Sequence, residues 1–284
     1  MESELAVLAV TLLVAGFLSG IVAGLLGVGG GMILVPVLFQ TFIFFDLPTH
    51  LQIHMAVATS MAIICFTGSL SARTHFKRGA VDVDVVKSWG VYIAIGALIG
   101  AGAARFIAPA GLKIIFAALT LTMATRMLLN KNPGEAGEAR ISLWVQKSLA
   151  SLVGFFSALM GIGGGTLSVP LLNASGRDVL RAVGTSSVFG VFIAVPATVG
   201  FIVGGWSLVD LPDYTLGYVH VLALLAIIPT SMAAAPLGVR LAHRLSRKTL
   251  NGIFAIFNRQ WRAYAAGALY LNLLVVFADF VIRR

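Results

Sequence analysis

Charge is what this 284-residue chain has least of: 11% of its residues are Asp, Glu, Lys or Arg, where an ordinary soluble domain has about 25%. The longest clearly polar stretch, residues 130–140, is only loop-sized, so no soluble domain has room in the sequence. Cysteine is almost missing too. Cys65 stands alone, which excludes an intrachain disulfide and a thiolate metal cage and leaves packing as its expected role. There is no HExxH, the five histidines are scattered, and the glycine runs lack the Lys-Ser/Thr of a phosphate-binding P-loop. A GxSxG elbow is also absent, although Ser168 near a glycine run keeps an intramembrane hydrolase among the alternatives. No metal or cofactor is expected. The opening residues MESELAVLAV lack the basic leader of a cleaved signal peptide, so the first helix is expected to remain in the mature protein.

Hydrophobic residues make up 58% of the chain, and the mean hydropathy is +0.96. Apolar runs near twenty residues recur along its length, and about twenty residues cross a 30 Å hydrocarbon core. The expected fold is an all-α polytopic membrane protein with about 8–10 membrane segments. The net charge of +9 does not point to nucleic acid, because the basic residues cluster between apolar runs, as positive-inside loops do.

The chain also repeats itself. GVGGGMILVP (27–36) returns as GIGGGTLSVP (161–170), AVATS (56–60) as AVGTS (182–186), and LKIIFA (112–117) more loosely as LNGIFA (250–255). The offsets of 134, 126 and 138 residues keep one order, which indicates duplication. The expected organisation is a first transmembrane repeat at 1–130, a linker at 131–142, and a second repeat with a tail span at 143–284. In each half a glycine-broken apolar stretch (5–45; 143–174) precedes helices at 51–72, 85–107 and 111–129, answered by 178–203, 217–241 and 249–267.

Matched loops differ in charge bias. After the second helix of the first half come Arg73, Lys77 and Arg78, with Lys87 nearby, against Asp82 and Asp84, whereas the counterpart at 205–216 has Asp210, Asp213 and no base. Arg240, Arg244, Arg247 and Lys248 face only Arg105 and Lys113 in the partner loop. An inverted repeat follows, with an extracytoplasmic N-terminus and a cytoplasmic linker; a parallel repeat is the competing arrangement.

Irregular backbone survives at membrane depth only where protein or a watery cavity surrounds it. Glycine-interrupted segments at matching places in two halves therefore point to a transport site. Gly29, Gly30 and Gly31, with Gly163, Gly164 and Gly165, would bring bare amides together as an anion cradle, and Met32 and Thr166 follow directly. Pro36 and Pro170 are expected to push Val35 and Val169 toward extended geometry. The competing explanation is close helix packing by small residues. Thr59, Ser60, Thr185 and Ser186 offer hydroxyl donors early in the following helices, or else join helices together. His54 and Arg181 are candidates for touching substrate or carrying a coupling proton; alternatively His54 caps its helix and Arg181 pairs with Asp178.

With its doubled G-[IVL]-G-G-G-x-[IL]-x-V-P and A-[VT]-x-[TS]-S segments, the chain resembles the TauE/SafE sulfite exporter family, also called toluene-sulfonate uptake permeases, over residues 5–255. The final stretch, with NRQWRAY, departs from the usual apolar ending. The resemblance implies transport of sulfite, sulfoacetate or another organosulfonate across a bacterial or archaeal inner membrane. An anion fits the residues as well, because few acidic side chains lie within the spans. A secondary carrier with a small anionic substrate and the lipid bilayer as its partners is the leading expectation. An anion channel, or a non-transporting membrane enzyme or assembly subunit, is the alternative.

Overall fold

The computed structural model describes residues 2–115, 118, 143–246, 249–250 and 252–253. The expected linker at 131–142 and the tail span lie outside the described residues. The chain forms α1 (Glu2–Leu26), α2 (Gly31–Phe44), α3 (Gln52–Lys77), α4 (Val83–Ala104), α5 (Leu143–Met160), α6 (Gly165–Ala174), α7 (Val179–Gly205), a two-residue pair β1 (Thr215–Leu216) and β2 (Val219–His220), and α8 (Val221–Arg244). Among the described residues, five helices (α1, α3, α4, α7 and α8) are long and apolar enough to cross a membrane. The protein is an all-α polytopic membrane protein.

The first helix of each half packs on the fourth helix of the other half. A side chain at Gly16, Gly20 or Gly24 of α1 would strike the carbonyls of Ile227, Ser231 and Ala235 of α8. Gly96 and Gly100 of α4 lie in the same way on the carbonyls of Ser151 and Phe155 of α5. Both series ascend together, so each pair runs parallel. Such backbone-to-backbone approach suits a bilayer, where apolar side chains gain nothing by leaving lipid and close contact of small residues supplies the attraction.

The remaining directions follow from the contacts. In α3 and α7, Cys65 meets Thr198 and Gly68 meets Val191, a descending series, so these repeat-equivalent helices run antiparallel. Thr59 lies by His220 and His75 by His243, which sets α3 parallel to α8; Trp89 by Phe189 and Ala101 by Gly200 set α4 parallel to α7. Helices α1, α3 and α8 thus run one way, and α4, α5 and α7 the other. One end of the bundle carries Arg73, Lys77, Arg78, Lys87, Lys147, Arg177, Arg181, Arg240 and Arg244 with Asp82, Asp84 and Asp178; the other carries Asp46, Asp210 and Asp213 with Arg105 and Lys113.

Two expectations change. Val35 and Val169 are helical, because Pro36 and Pro170 sit inside α2 and α6. Each proline gives up one hydrogen bond, to the carbonyl four residues back at Met32 or Thr166, and the helix continues because neighbouring elements enclose it. The helix expected at 217–241 starts at 221 instead, since Tyr214 (φ 59°) and Gly217 (φ 55°) turn the chain into the small β pair first.

Candidate functional site

Each glycine run is a turn that sends the chain back along itself. Ile64 of α3 touches Gly29 and Gly31, whereas Phe42, near the end of α2, packs on His220 beside Thr59, so α2 descends as α3 rises. Helices α1 and α2 therefore form a hairpin within the bundle. Gly27, Gly29 and Gly30 adopt φ of 66°, 75° and 79°, a region costly for residues with a β-carbon. In the second half only Gly161 (φ 66°) does so within the turn, and Gly164 enters α6 with an ordinary φ of −55°.

The two turns meet. A β-carbon on Gly29 would lie 3.2 Å from the α-carbon of Gly163, and one on Gly163 would lie 3.0 Å from the α-carbon of Gly29. Gly31 faces the carbonyl of Gly161, and Gly165 that of Gly27. Thr166 Oγ1 reaches Met32 Sδ at 3.7 Å, so those two equivalent positions also come together. Helices α2 and α6 start here, with Gly30 and Gly164 as caps that supply no side-chain acceptor. The first amides of a helix have no intrahelical partner. Gly31, Met32, Gly163, Gly164, Gly165 and Thr166 are all buried. The glycines thus serve close packing and the convergence of two helix starts at once.

The hydroxyl motif acts as a strut across the repeat. Thr59 Oγ1 accepts from the His220 amide at 2.9 Å, and Thr185 Oγ1 accepts from the Asp82 amide at 2.9 Å. His220 and Asp82 are the N-caps of α8 and α4, which they hold through Nδ1 to the Ala223 amide and Oδ1 to the Val85 amide. Ser60 Oγ donates to the Gly161 carbonyl at 2.8 Å, bracing the second turn from the first half. Ser186 lies against Gly27 but donates to its own Val183 carbonyl.

His54 and Arg181 sit apart from the turns. The ring of His54 is buried, with Nε2 bonded to the Ala104 and Ile107 carbonyls at 3.1 Å each, and it stacks on Tyr218. It lies ten residues below Ile64 on α3, roughly 15 Å along the axis. Arg181 is exposed at the start of α7. An ion pair at that end joins Arg177 to Asp82 at 2.9 Å. Partial burial pushes the Asp82 carboxyl up, but Arg177, the Val85 amide and nearby Arg181 together hold it below the usual carboxylate range.

Two further hydroxyls stand out in three dimensions, one of them Ser168, which the sequence already places beside its glycine run. Ser157 Oγ on α5 and Ser168 Oγ on α6 are buried with no hydrogen-bond partner among the described residues. An orphaned buried hydroxyl is costly, and each of these two lies within four residues of a glycine of the second turn. The repeat register puts Ala23 and Leu34 at the corresponding places, so the duplication gave no signal for either serine.

A family model described as "Sulfite exporter TauE/SafE" matches residues 12–258. A "Probable membrane transporter protein" of Haemophilus influenzae is 34% identical over 246 residues, covering 86% of this chain and 93% of its own. A protein of the same description from Methanocaldococcus jannaschii is 28% identical, with 88% and 92% covered, and one from Bacillus subtilis is 26% identical, with 87% and 93% covered. No solved structure matches the chain. With glycine-turn hairpins in both halves and a family match across most of its length, the chain belongs to the TauE/SafE sulfite exporter family of membrane transporters.

Proposed function

We propose that this protein is a secondary carrier that exports a small sulfur-containing oxyanion, such as sulfite, sulfoacetate or another organosulfonate, across the inner membrane. The observation that carries the reading is the meeting of Gly29 with Gly163 where the starts of α2 and α6 converge. Two positive helix ends favour a negative solute. The Thr166, Ser157 and Ser168 hydroxyls supply donors for its oxygens, Ser157 and Ser168 being free of other partners among the described residues. Thr59, Ser60, Thr185 and Ser186 shape the site by holding turns and caps.

The halves form an inverted repeat, a reading supported by the antiparallel run of α3 and α7. The basic end of the bundle faces the cytoplasm, which leaves the N-terminus outside. Arg181 at that mouth meets the departing anion first, and an internally negative potential favours efflux by about 2.3 kcal/mol per charge per 100 mV. His54, enclosed at the opposite end, is the residue for a coupling proton. Alternating access moves one repeat against the other around the paired turns.

Purified protein in liposomes loaded with sulfite or sulfoacetate tests this. Saturable efflux above that of protein-free liposomes is expected. Flux equal to empty liposomes for every sulfur oxyanion overturns the assignment, and flux that never saturates replaces the carrier with a channel. If His54 carries a proton, His54→Gln removes the dependence of flux on a pH gradient.

A further inference from the structure

Helices α4 and α7 run parallel to the same end of the bundle, where Arg105 and Trp206 are their C-caps. Between these ends lies a groove of about 330 Å³, lined by Leu98, Gly102, Arg105, Val199, Val203 and Gly204 among others. Its apolar walls belong to the outer face of the bundle: Leu98, Val199 and Val203 are exposed, as are their neighbours Ile95, Ile99 and Val195. On a membrane-spanning helix, such a face meets lipid chains. Exposed Trp206 and Tyr214, beside the same helix ends, mark the depth at which aromatic rings meet headgroups.

The groove exists because side chains are missing. A β-carbon on Gly102 would meet nothing within 4 Å, and one on Gly204 would come only to 3.9 Å from Arg105 Cδ and Tyr218 Cε2. These glycines are therefore not needed for close packing, unlike Gly96 and Gly100, earlier in the same helix as Gly102. Arg105 stands at the mouth. Its guanidinium lies 4.4 Å from the centre of the Phe106 ring and pairs with no carboxylate among the described residues. A cation at headgroup depth above an open apolar slot matches one kind of molecule, with an anionic head and an aliphatic tail.

We propose that this groove binds a phospholipid, one acyl chain lying between α4 and α7 over Gly102 and Gly204, and the phosphate on Arg105. The guanidinium fork suits phosphate oxygens in a way an ammonium does not. The volume is at the low end for small-ligand sites, enough for a segment of chain and too small for a folded partner. Arg105 is on the end away from the cytoplasmic basic cluster, so the lipid belongs to the outer leaflet.

Native mass spectrometry of the full chain, titrated with phosphatidylglycerol in detergent, tests the proposal. One lipid should stay bound to the wild type after the rest are stripped. Arg105→Gln should lower its retention about tenfold, and Gly102→Leu, which fills the slot and keeps the charge, at least threefold. Lys147→Gln, at the other end, should change nothing. Loss with Arg105→Gln but full retention with Gly102→Leu would mean that a phosphate ion alone is recognised, and overturns the lipid site. Equal retention in both variants overturns it as well, as does a wild-type dimer that Gly102→Leu converts to monomer, since the groove would then be a subunit contact.

Discussion

The two glycine turns occupy equivalent places and are built differently. The first uses three left-handed glycines, at 27, 29 and 30, and is flanked by Ala23, Met32 and Leu34. The second uses one left-handed glycine, at 161, and has Ser157, Thr166 and Ser168 at the same positions. The struts differ in the same spirit: Thr185 holds Asp82, which is ion-paired to Arg177, whereas Thr59 holds His220, which packs on Phe42. Backbone architecture is shared between the halves; at these matched turn positions the hydroxyls belong to the second.

The largest expected effect separates the turns by backbone. Gly30→Leu faces both a positive φ and the Ser19 carbonyl 2.6 Å from its β-carbon, so folded protein should be lost altogether in a fluorescence-detected size-exclusion assay. Gly164→Ala, at an ordinary φ with its nearest neighbour at 3.0 Å, should fold with a modest fall in Tm. Were the Gly30 variant the better behaved of the two, the contrast in backbone conformation would be wrong. Leucine at either turn therefore tests folding before it tests transport.

Next comes chemistry at matched positions. Ser168→Ala should raise the KM for sulfite about tenfold, the loss of one hydrogen bond to a charged group, with Tm unchanged or higher. Leu34→Ala at the mirror position should leave KM alone and destabilise by about 2–5 kcal/mol. A Ser168→Ala carrier with unaltered KM would remove the hydroxyl from the seat. The struts should behave alike despite their different surroundings. Thr59→Val and Thr185→Val each orphan one amide, costing about 1–3 kcal/mol apiece in denaturation, and a clear inequality would show that one strut is redundant.

The smallest effect is in pH. Burial lowers the pKa of His220 from its ordinary 6.5, so the folded protein binds fewer protons there than the unfolded chain does. Its contribution to stability is complete above pH 6.5 and is lost as the pH falls below that value. The Asp82 end, whose carboxyl is lowered from 3.8, should hold until the pH drops below that ordinary value. His220→Asn, which can still cap α8, should flatten the fall in Tm between pH 7 and 5 by part of its slope; no change in slope would place the titration elsewhere.

Much of this was readable before any coordinates. Hydrophobic runs announce membrane helices because lipid admits little else, and the doubled motifs announce two halves. The charge difference between the loops after Arg73 and after Gly205 agrees with the opposed directions of α3 and α7. Less legible was the use of each side chain. Thr59 and Thr185 read as hydroxyl donors early in their helices; that their oxygens also accept from the amides of His220 and Asp82, 161 and 103 positions away, has no signal in the sequence. Ser157 was invisible, since a single serine in an apolar helix has no pattern.

By itself the sequence determined that this chain lives in a bilayer, that it is a duplication, and where its backbone must turn. Those are local matters of hydropathy, periodicity and glycine. Only the tertiary structure decided that the two turns touch, that each half caps the other's fourth helix, and which hydroxyls remain without partners. Contact across more than a hundred residues depends on how helices exchange neighbours, and composition along the chain carries no record of that exchange.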